Sequence, residues 1–171
     1  GFLLRDSVQF HWHNQNFQSF EHFLSVLTMK RRKNIRRERE QVAREAISFR
    51  HVPGEESTDQ DWEFFYRCYA NTYLEHQSSP YLSEAFFKLW AQRRPENLHL
   101  IIAQRNQMPI AASLLVVDQA SSKAYGRYWG AIEHIPCLHF ETAYYQAIEY
   151  CINNHIQTFE GGAQAEHKMA R

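Results

Sequence analysis

Cysteine is scarce in this sequence, and its spacing excludes two common uses. The 171 residues contain three cysteines, Cys68, Cys137 and Cys151, which are far apart and form no CxxC pair. An odd number at such spacing argues against a disulfide framework and against a cysteine zinc site. We therefore expect the chain to reside in a reducing compartment, the cytoplasm.

The sequence also lacks a long apolar run and a net charge. No stretch approaches the roughly 20 apolar residues that span a bilayer, so membrane insertion is not expected. The formal net charge is +0, with 44% hydrophobic and 15% aromatic residues. That composition excludes a disordered chain and a globally basic nucleic-acid binder. Any electrostatic function must therefore be local.

Hydrophobic periodicity predicts a single α/β (α+β) domain over 1–171, a length that can bury a substantial core. We expect three consecutive strands to form an antiparallel meander within a mixed sheet flanked by helices, with a crossover helix after the meander. The predicted strands are 8–13, 45–52, 98–104, 110–118, 124–131 and 156–160. The predicted helices are a basic helix over 18–44, then 62–76, 83–94 and 139–154.

The strand AYGRYWGA contains two glycines, Gly126 and Gly130. Glycine inside a strand typically marks a bulge or a close approach of the backbone to a ligand. Regular alternation places Tyr125, Arg127 and Trp129 on one face. Two interpretations remain open: a structural bulge with a cation-π pair between Arg127 and Trp129, or a ligand-binding strand that uses both side chains.

Two candidate polar groups stand at the start of the last predicted helix. His139 and Glu141 lie where backbone N–H groups and the helix dipole favour an anion. Glu141 could equally serve as a capping residue in the first turn. We therefore keep both residues as candidate substrate contacts beside a purely structural alternative.

The chain ends in a cluster of polar residues that follows a predicted strand. Ionisable groups at the end of a strand and beside glycines often form sites in α/β folds, although a solvated turn is the alternative. Glu160, which precedes the pair Gly161 and Gly162, is a candidate base. The other candidates in this cluster are Gln164, Glu166, His167 and Lys168.

A basic run, KRRKNIRRERE, gives one helix enough charge to hold phosphates, although a solvated helix face is the commoner reason for such a run. Its cations are Lys30, Arg31, Arg32, Lys33, Arg36, Arg37 and Arg39.

The pair His11 and His13 lies on one face of a strand but lacks a third ligand at fixed spacing. We predict no metal.

Together, FHWHN, KRRKNIRRERE, YLSEAFF, YGRYWG, LHFETAYYQAIEY and EGGAQAEHKMAR resemble the Fem-like predicted N-acyltransferases of peptidoglycan biosynthesis or recognition, a bacterial branch of the GNAT superfamily. The resemblance implies a GNAT-like fold whose fourth strand is bulged between the glycines around Arg127 and Trp129. It also implies a chain truncated at both ends, with an acyltransferase-like half upstream. The sequence departs from the family pattern at Ala143, Gly161 and Ala165.

The resemblance implies transfer of an acyl or aminoacyl group to an amine. Glu160, Glu166 and His167 are the expected catalytic residues. Expected substrate contacts are Arg127, Trp129, His139, Glu141, Gln164 and Lys168. No cofactor is expected to bind tightly. The expected co-substrate is acyl-CoA or aminoacyl-tRNA. The loop AIEHIPCLH lacks the glycines with which acyl-CoA enzymes of this superfamily usually bind pyrophosphate, and the basic helix would suit the backbone of tRNA, but the choice between the two donors stays open. The alternatives are a non-catalytic module that binds a cell-wall precursor or RNA, and a metal-dependent hydrolase using His11, His13 and the carboxylates.

Overall fold

The computed structural model of this chain describes residues 9–163, which alternate helices and strands around one sheet. The strands are β1 (Gln9–His13), β2 (Ile47–Pro53), β3 (Leu98–Arg105), β4 (Met108–Asp118), β5 (Lys123–Ala131) and β6 (Thr158–Ala163). The helices are α1 (Phe20–Ser25), α2 (Met29–Arg44), α3 (Asp59–Glu75), α4 (Glu84–Arg93), α5 (Leu138–Phe140) and α6 (Gln146–Asn153). A π-helical turn, Glu141–Tyr145, joins α5 to α6.

The strands of the described residues form one mixed sheet in the order β1-β6-β5-β4-β3-β2. Neighbouring strands are antiparallel except β5 and β6, which pair in parallel after the crossover through α5, the π turn and α6. The fold class predicted from the sequence is therefore confirmed, including the antiparallel meander of β3, β4 and β5. The sheet also pairs β1 with β6, so the described N-terminal and C-terminal strands lie side by side.

Side chains alternate between two apolar layers, because successive residues of a strand point to opposite faces. On β3, Leu100 and Ile102 pack with Phe65 and other residues of α3 and α4. Ile101, between them, packs in the layer that includes α1, α2 and α6. Both faces of the central strands are covered, which explains why β3 and β4 read as nearly continuous apolar runs.

The basic helix predicted over 18–44 is interrupted in the structure. It consists of α1, which ends at Ser25 with Val26 as its C-cap, and of α2, which Thr28 caps. The Thr28 hydroxyl accepts a hydrogen bond from the backbone N–H of Arg31 at 3.4 Å. Threonine is a favoured N-cap residue because its oxygen satisfies an otherwise unpaired helix donor. Capping at this position turns α2 into a separate helix, which packs through Ile35 and Val42.

Within residues 9–163, no helix has both the length and the apolar character required to cross a bilayer.

Candidate functional site

The sheet opens between β5 and β6. The two strands pair in parallel only at Lys123 with Thr158, Ala124 with Phe159, and Tyr125 with Glu160. Just past this ladder, β5 bulges against β4. A bulge adds an unpaired residue and bends the strand, so the two strands part here and leave an opening in the sheet.

The bulged residue is Arg127. On β4, Leu115 lies opposite Gly126 and Leu114 lies opposite Tyr128, so Arg127 has no residue across from it. The bulge predicted between the two glycines is therefore confirmed. Because the extra residue breaks the alternation, the prediction that Tyr125, Arg127 and Trp129 share one face is wrong.

The two aromatic side chains of this strand lie on opposite faces of the sheet. Tyr125 pairs with Val116, which packs on α3 and α4, whereas Trp129 packs with Leu138 of α5. The guanidinium of Arg127 stacks over the ring of Tyr125, with Cζ 5.3 Å from the ring centroid. Arg127 thus forms its cation-π pair with Tyr125 and not with Trp129.

The backbone of Trp129 faces the opening. Ile132 donates its N–H to Ile110 on β4 at 2.8 Å, and hydrogen-bonded pairs alternate with unbonded pairs along an antiparallel ladder. The pair of Trp129 with Ser113 is therefore unbonded, so the N–H and C=O of Trp129 point away from β4. Its C=O accepts a hydrogen bond from Thr72 Oγ1 at 3.0 Å. Its N–H is directed into the opening, beyond the last residue pair of β5 and β6.

A small cavity of about 100 Å³ occupies the opening on the side of the π turn. The rings of Trp129 and His139 lie 5.0 Å apart, and those of His139 and Tyr144 lie 5.7 Å apart. The hydroxyl of Tyr144 donates to the C=O of Gly161 at 3.3 Å. The residues lining this cavity are Ser113, Gly126, Arg127, Tyr128, Trp129, His139, Ala143, Tyr144 and Gly161.

A wider cavity of about 550 Å³ adjoins the small one and shares with it Arg127, Tyr128, Trp129 and His139. Its other wall is the C-terminal part of α3, which contributes Thr72 and Tyr73. The sequence predicted Arg127, Trp129 and His139 as substrate contacts, and the fold brings these three residues to the walls of both cavities.

Gly130 holds the bulged strand against α3. A Cβ atom at Gly130 would lie 1.9 Å from the carbonyl oxygen of Cys68, which no side chain can tolerate. The close approach predicted for this glycine is therefore an approach to a helix backbone rather than to a ligand. This contact fixes the distance between the opening and α3.

Glu160 lies at the end of the parallel ladder, opposite Tyr125 on β5 and His11 on β1. It is half-buried. Phe159 before it is buried in the layer of α6, so alternation directs Glu160 to the other face, where the Arg127 guanidinium stacks on Tyr125. The remaining predicted residues of this cluster, Gln164, Glu166, His167 and Lys168, lie outside the described residues.

Glu141 has an internal partner. It is buried in the π turn, and Nη2 of Arg39 lies 3.0 Å from its Oε1. Burial lowers the pKa of Arg39. The charge of Glu141 and the hydrogen bonds that Arg39 donates to Glu141 and Glu149 outweigh this effect and raise that pKa above its ordinary value. Arg39, predicted to contact phosphate, and Glu141, predicted to contact substrate, thus neutralise each other in this structure.

Only some cations of the basic run form salt bridges with acidic residues elsewhere in the described part of the chain. Besides Arg39, Arg36 also has an acidic partner, Glu21, at 2.6 Å. Within residues 9–163, no salt bridge forms to the remaining cations of the run: Lys30, Arg31, Arg32, Lys33 and Arg37. A role for these residues in binding tRNA stays a prediction.

The sequence analysis missed a histidine pair in a separate cleft of about 700 Å³. His51 Nδ1 lies 2.9 Å from His99 Nε2, and His51 Nε2 lies 2.9 Å from Gln146 Oε1. Gln146 in turn donates to Glu141 at 2.7 Å. This network makes His51 a donor to Gln146 and therefore an acceptor from His99. The only signal in the sequence was a histidine in the apolar strand LHLIIAQ.

Burial, and to a smaller extent the charge of the neighbouring His51, lower the pKa of His99 to about 3. His99 is therefore neutral at ordinary pH. Its ring packs against Tyr150, with centroids 4.1 Å apart. This pair connects β2 and β3 to α6 and, through Gln146, to the π turn.

In the part of the chain from 9 to 163, no group of three or more His, Cys, Asp or Glu side chains is arranged to hold a metal ion. His11 and His13 lie close together, with ring centroids 6.4 Å apart, but the described residues add no further ligand beside them.

Solved structures share this fold. The C-terminal domain of a protein described as a lysylphosphatidylglycerol synthetase from Agrobacterium fabrum superposes with a TM-score of 0.60 at 9% identity, over 86% of this chain and 46% of that chain. The protein named L-PGS from Bacillus licheniformis superposes with a TM-score of 0.61 at 9% identity, over 86% of this chain and 47% of that chain. This chain thus spans a little under half of each.

No curated protein sequence matches this chain. A family model does: the FemAB-like family, described as peptidoglycan biosynthesis/recognition, matches residues 1–171. The resemblance inferred from the sequence motifs is therefore confirmed over the whole chain, and the protein is a member of the FemAB-like family.

Proposed function

We propose that this protein transfers an acyl or aminoacyl group to an amine at the opening between β5 and β6, in the synthesis of a cell-wall precursor. The observation that carries the proposal is the parting of these strands at the Arg127 bulge, which directs the N–H of Trp129 into the opening. A backbone donor held rigidly in a sheet can stabilise an oxyanion at no cost in reorganisation. Family membership supports the cell-wall context.

In the proposed reaction, the carbonyl oxygen of the donor accepts the Trp129 N–H while the amine nitrogen attacks the carbonyl carbon. Glu160, His167 or Glu166 takes the proton that the amine loses, directly or through water. The tetrahedral intermediate collapses, and the leaving thiolate or alkoxide takes up a proton. His139, packed against Trp129, and Arg127, stacked on Tyr125, line the walls against which the donor and acceptor are held.

The donor is proposed to be aminoacyl-tRNA or acyl-CoA. The description of one structural neighbour as a synthetase of lysylphosphatidylglycerol, an aminoacylated lipid, favours an aminoacyl donor. The unpaired cations of α2 offer a surface for the phosphates of either donor. Gln164 and Lys168 are proposed to complete the substrate contacts.

The test is an assay of the purified protein, at the full length of the natural chain, with radiolabelled aminoacyl-tRNA or acyl-CoA and amine-bearing muropeptides. Removing a general base typically lowers the rate 10²–10⁴-fold. We expect Glu160→Gln or His167→Ala to lower kcat by about that factor. Glu56→Gln, at an exposed position, is the matched control.

Unchanged turnover in both variants would remove Glu160 and His167 as catalytic residues. Binding of muropeptide or tRNA without any turnover would replace the enzyme by a non-catalytic binding module, because a fold does not dictate its chemistry.

A further inference from the structure

An apolar cavity of about 460 Å³ lies on the far side of Tyr144 from the opening between β5 and β6. Its volume is within the range of small-molecule sites, which are mostly apolar with a few polar groups. Aromatic and aliphatic side chains form most of its wall. They come from β1, from α1 and the segments on either side of it, from α2, and from the helical segment that runs from α5 to α6. Among them are Phe10, Phe17, Phe23, Leu27, Phe140 and Ile148.

A positive charge stands at the exposed edge of the same cavity. Arg31 lines it, is solvent-exposed, and makes no salt bridge with any described residue. The neighbouring cations Arg36 and Arg39 are both held by acidic partners. The charge of Arg31 is therefore available beside an apolar cavity. This arrangement favours a ligand that has an anionic group attached to an apolar chain.

We propose that this cavity binds a single-chain anionic amphiphile, with its chain among the aromatic rings and its negative charge beside Arg31. The cavity and the opening share Tyr144 in their walls. An amphiphile seated here would present its head close to the β5 and β6 opening. That link to catalysis rests on the proposed function, whereas the binding itself does not.

The experiment is calorimetric titration of the whole chain with dodecyl phosphate, dodecanoate, dodecyltrimethylammonium and inorganic phosphate. Both anionic amphiphiles are expected to bind, and the cationic one about tenfold more weakly, since a charge-assisted contact contributes about 1.4 kcal/mol or more. Inorganic phosphate alone is expected not to bind. Equal binding of the anionic and cationic chains, or no binding of either anion, would overturn the proposal.

Two variants locate the ligand. Arg31→Ala is expected to weaken the binding of dodecyl phosphate about tenfold, whereas Arg44→Ala, at an exposed position of the same helix, should change it by less than about twofold. Leu27→Trp fills the cavity and should abolish binding. Equal effects of Arg31→Ala and Arg44→Ala would contradict the assigned site.

A dodecanoate brominated at its terminal carbon provides an independent readout, because bromine quenches nearby indole fluorescence. Quenching that is lost in Trp12→Phe supports the site, and quenching unchanged in that variant overturns it. The natural amphiphile could be an acyl-CoA donor or an anionic lipid acceptor, and dodecanoyl-CoA distinguishes the two. Tighter binding of dodecanoyl-CoA than of dodecyl phosphate indicates the donor, and weaker binding indicates the lipid acceptor. Binding without turnover would leave this inference standing while refuting the proposed function.

Discussion

Arg39 and Glu141, 102 residues apart in the chain, form an ion pair that joins α2 to the π turn, with Nη2 3.0 Å from Oε1. The Glu141 side chain is 4% exposed and the Arg39 side chain 26%. The carboxylate also accepts a hydrogen bond from Gln146. The pair therefore connects the basic helix to the helical segment that lines the opening.

Removing one partner of this pair should be costly. Arg39→Met leaves the buried Glu141 carboxylate without its counter-charge, and we expect a loss of about 3 kcal/mol in the free energy of unfolding, measured by urea denaturation. Arg37→Met, on the same helix but exposed, should change it by less than about 0.5 kcal/mol. The double variant Arg39→Met with Glu141→Gln should recover part of the loss, and a strictly additive result would refute the coupling.

Gly130→Ala tests the contact between β5 and α3. The added Cβ would meet the Cys68 carbonyl oxygen at 1.9 Å, so the strand or the helix has to shift. We expect a loss of about 3 kcal/mol, at the upper end for overpacking. Gly126→Ala is the matched control in the same strand: its Cβ would meet the ring of Phe159 at 3.2 Å and the carbonyl oxygen of Glu160 at 3.6 Å, and a smaller loss is expected. Equal melting temperatures of the two variants would contradict this explanation.

His99 should make the protein less stable in acid. Because burial lowers its pKa to about 3, the folded state stays unprotonated while the unfolded state takes up a proton below about pH 6.5. The unfolded state then binds more protons, so stability falls as the pH falls. The expected loss from this group between pH 6.5 and pH 5 is about 1.5 kcal/mol.

The measurement is urea denaturation at both pH values, in the wild type and in His99→Gln. The substitution should remove most of that acid loss, whereas His76→Gln, at an exposed position, should leave it intact. An acid loss as large in His99→Gln as in the wild type would show that another group is responsible.

The three thiols should differ sharply in reactivity. Burial raises the pKa of Cys68 and of Cys151 to about 12, and both residues are fully buried. Cys137 is half-buried at the start of α5. Since the thiolate is the reactive form, we expect a thiol reagent at pH 8 to modify one cysteine per folded chain. Cys137→Ser should abolish this fast phase, and fast modification of that variant would contradict the assignment.

The order of helices and strands could be predicted because each element carries its own period of apolar residues. The meander of β3 to β5 and the helix after it are examples. The break between α1 and α2 could not be inferred with the same ease, because the apolar stripe continues across it and one capping threonine, Thr28, decides the boundary.

The site was predictable only where a local signal marks it. The glycines of AYGRYWGA indicated the bulge. Regular alternation wrongly placed Tyr125 and Trp129 on the same face, because the extra residue Arg127 between them reverses the alternation of side chains beyond it. The pairing of Arg39 with Glu141 and of His51 with His99 depends on which elements meet in the fold. No spacing within one element encodes such contacts.

The pairing of β1 with β6 bears on the order of folding. These strands join residues roughly 150 positions apart, for example His11 with Glu160, whereas β3, β4 and β5 are linked by short turns. Contacts between distant segments require a large loop to close first, so they form slowly and late. The meander can therefore assemble early as a stable nucleus, while the wall that carries Glu160 and Trp12 docks last. The region proposed to bind substrate would then also be the first to open when the native protein fluctuates.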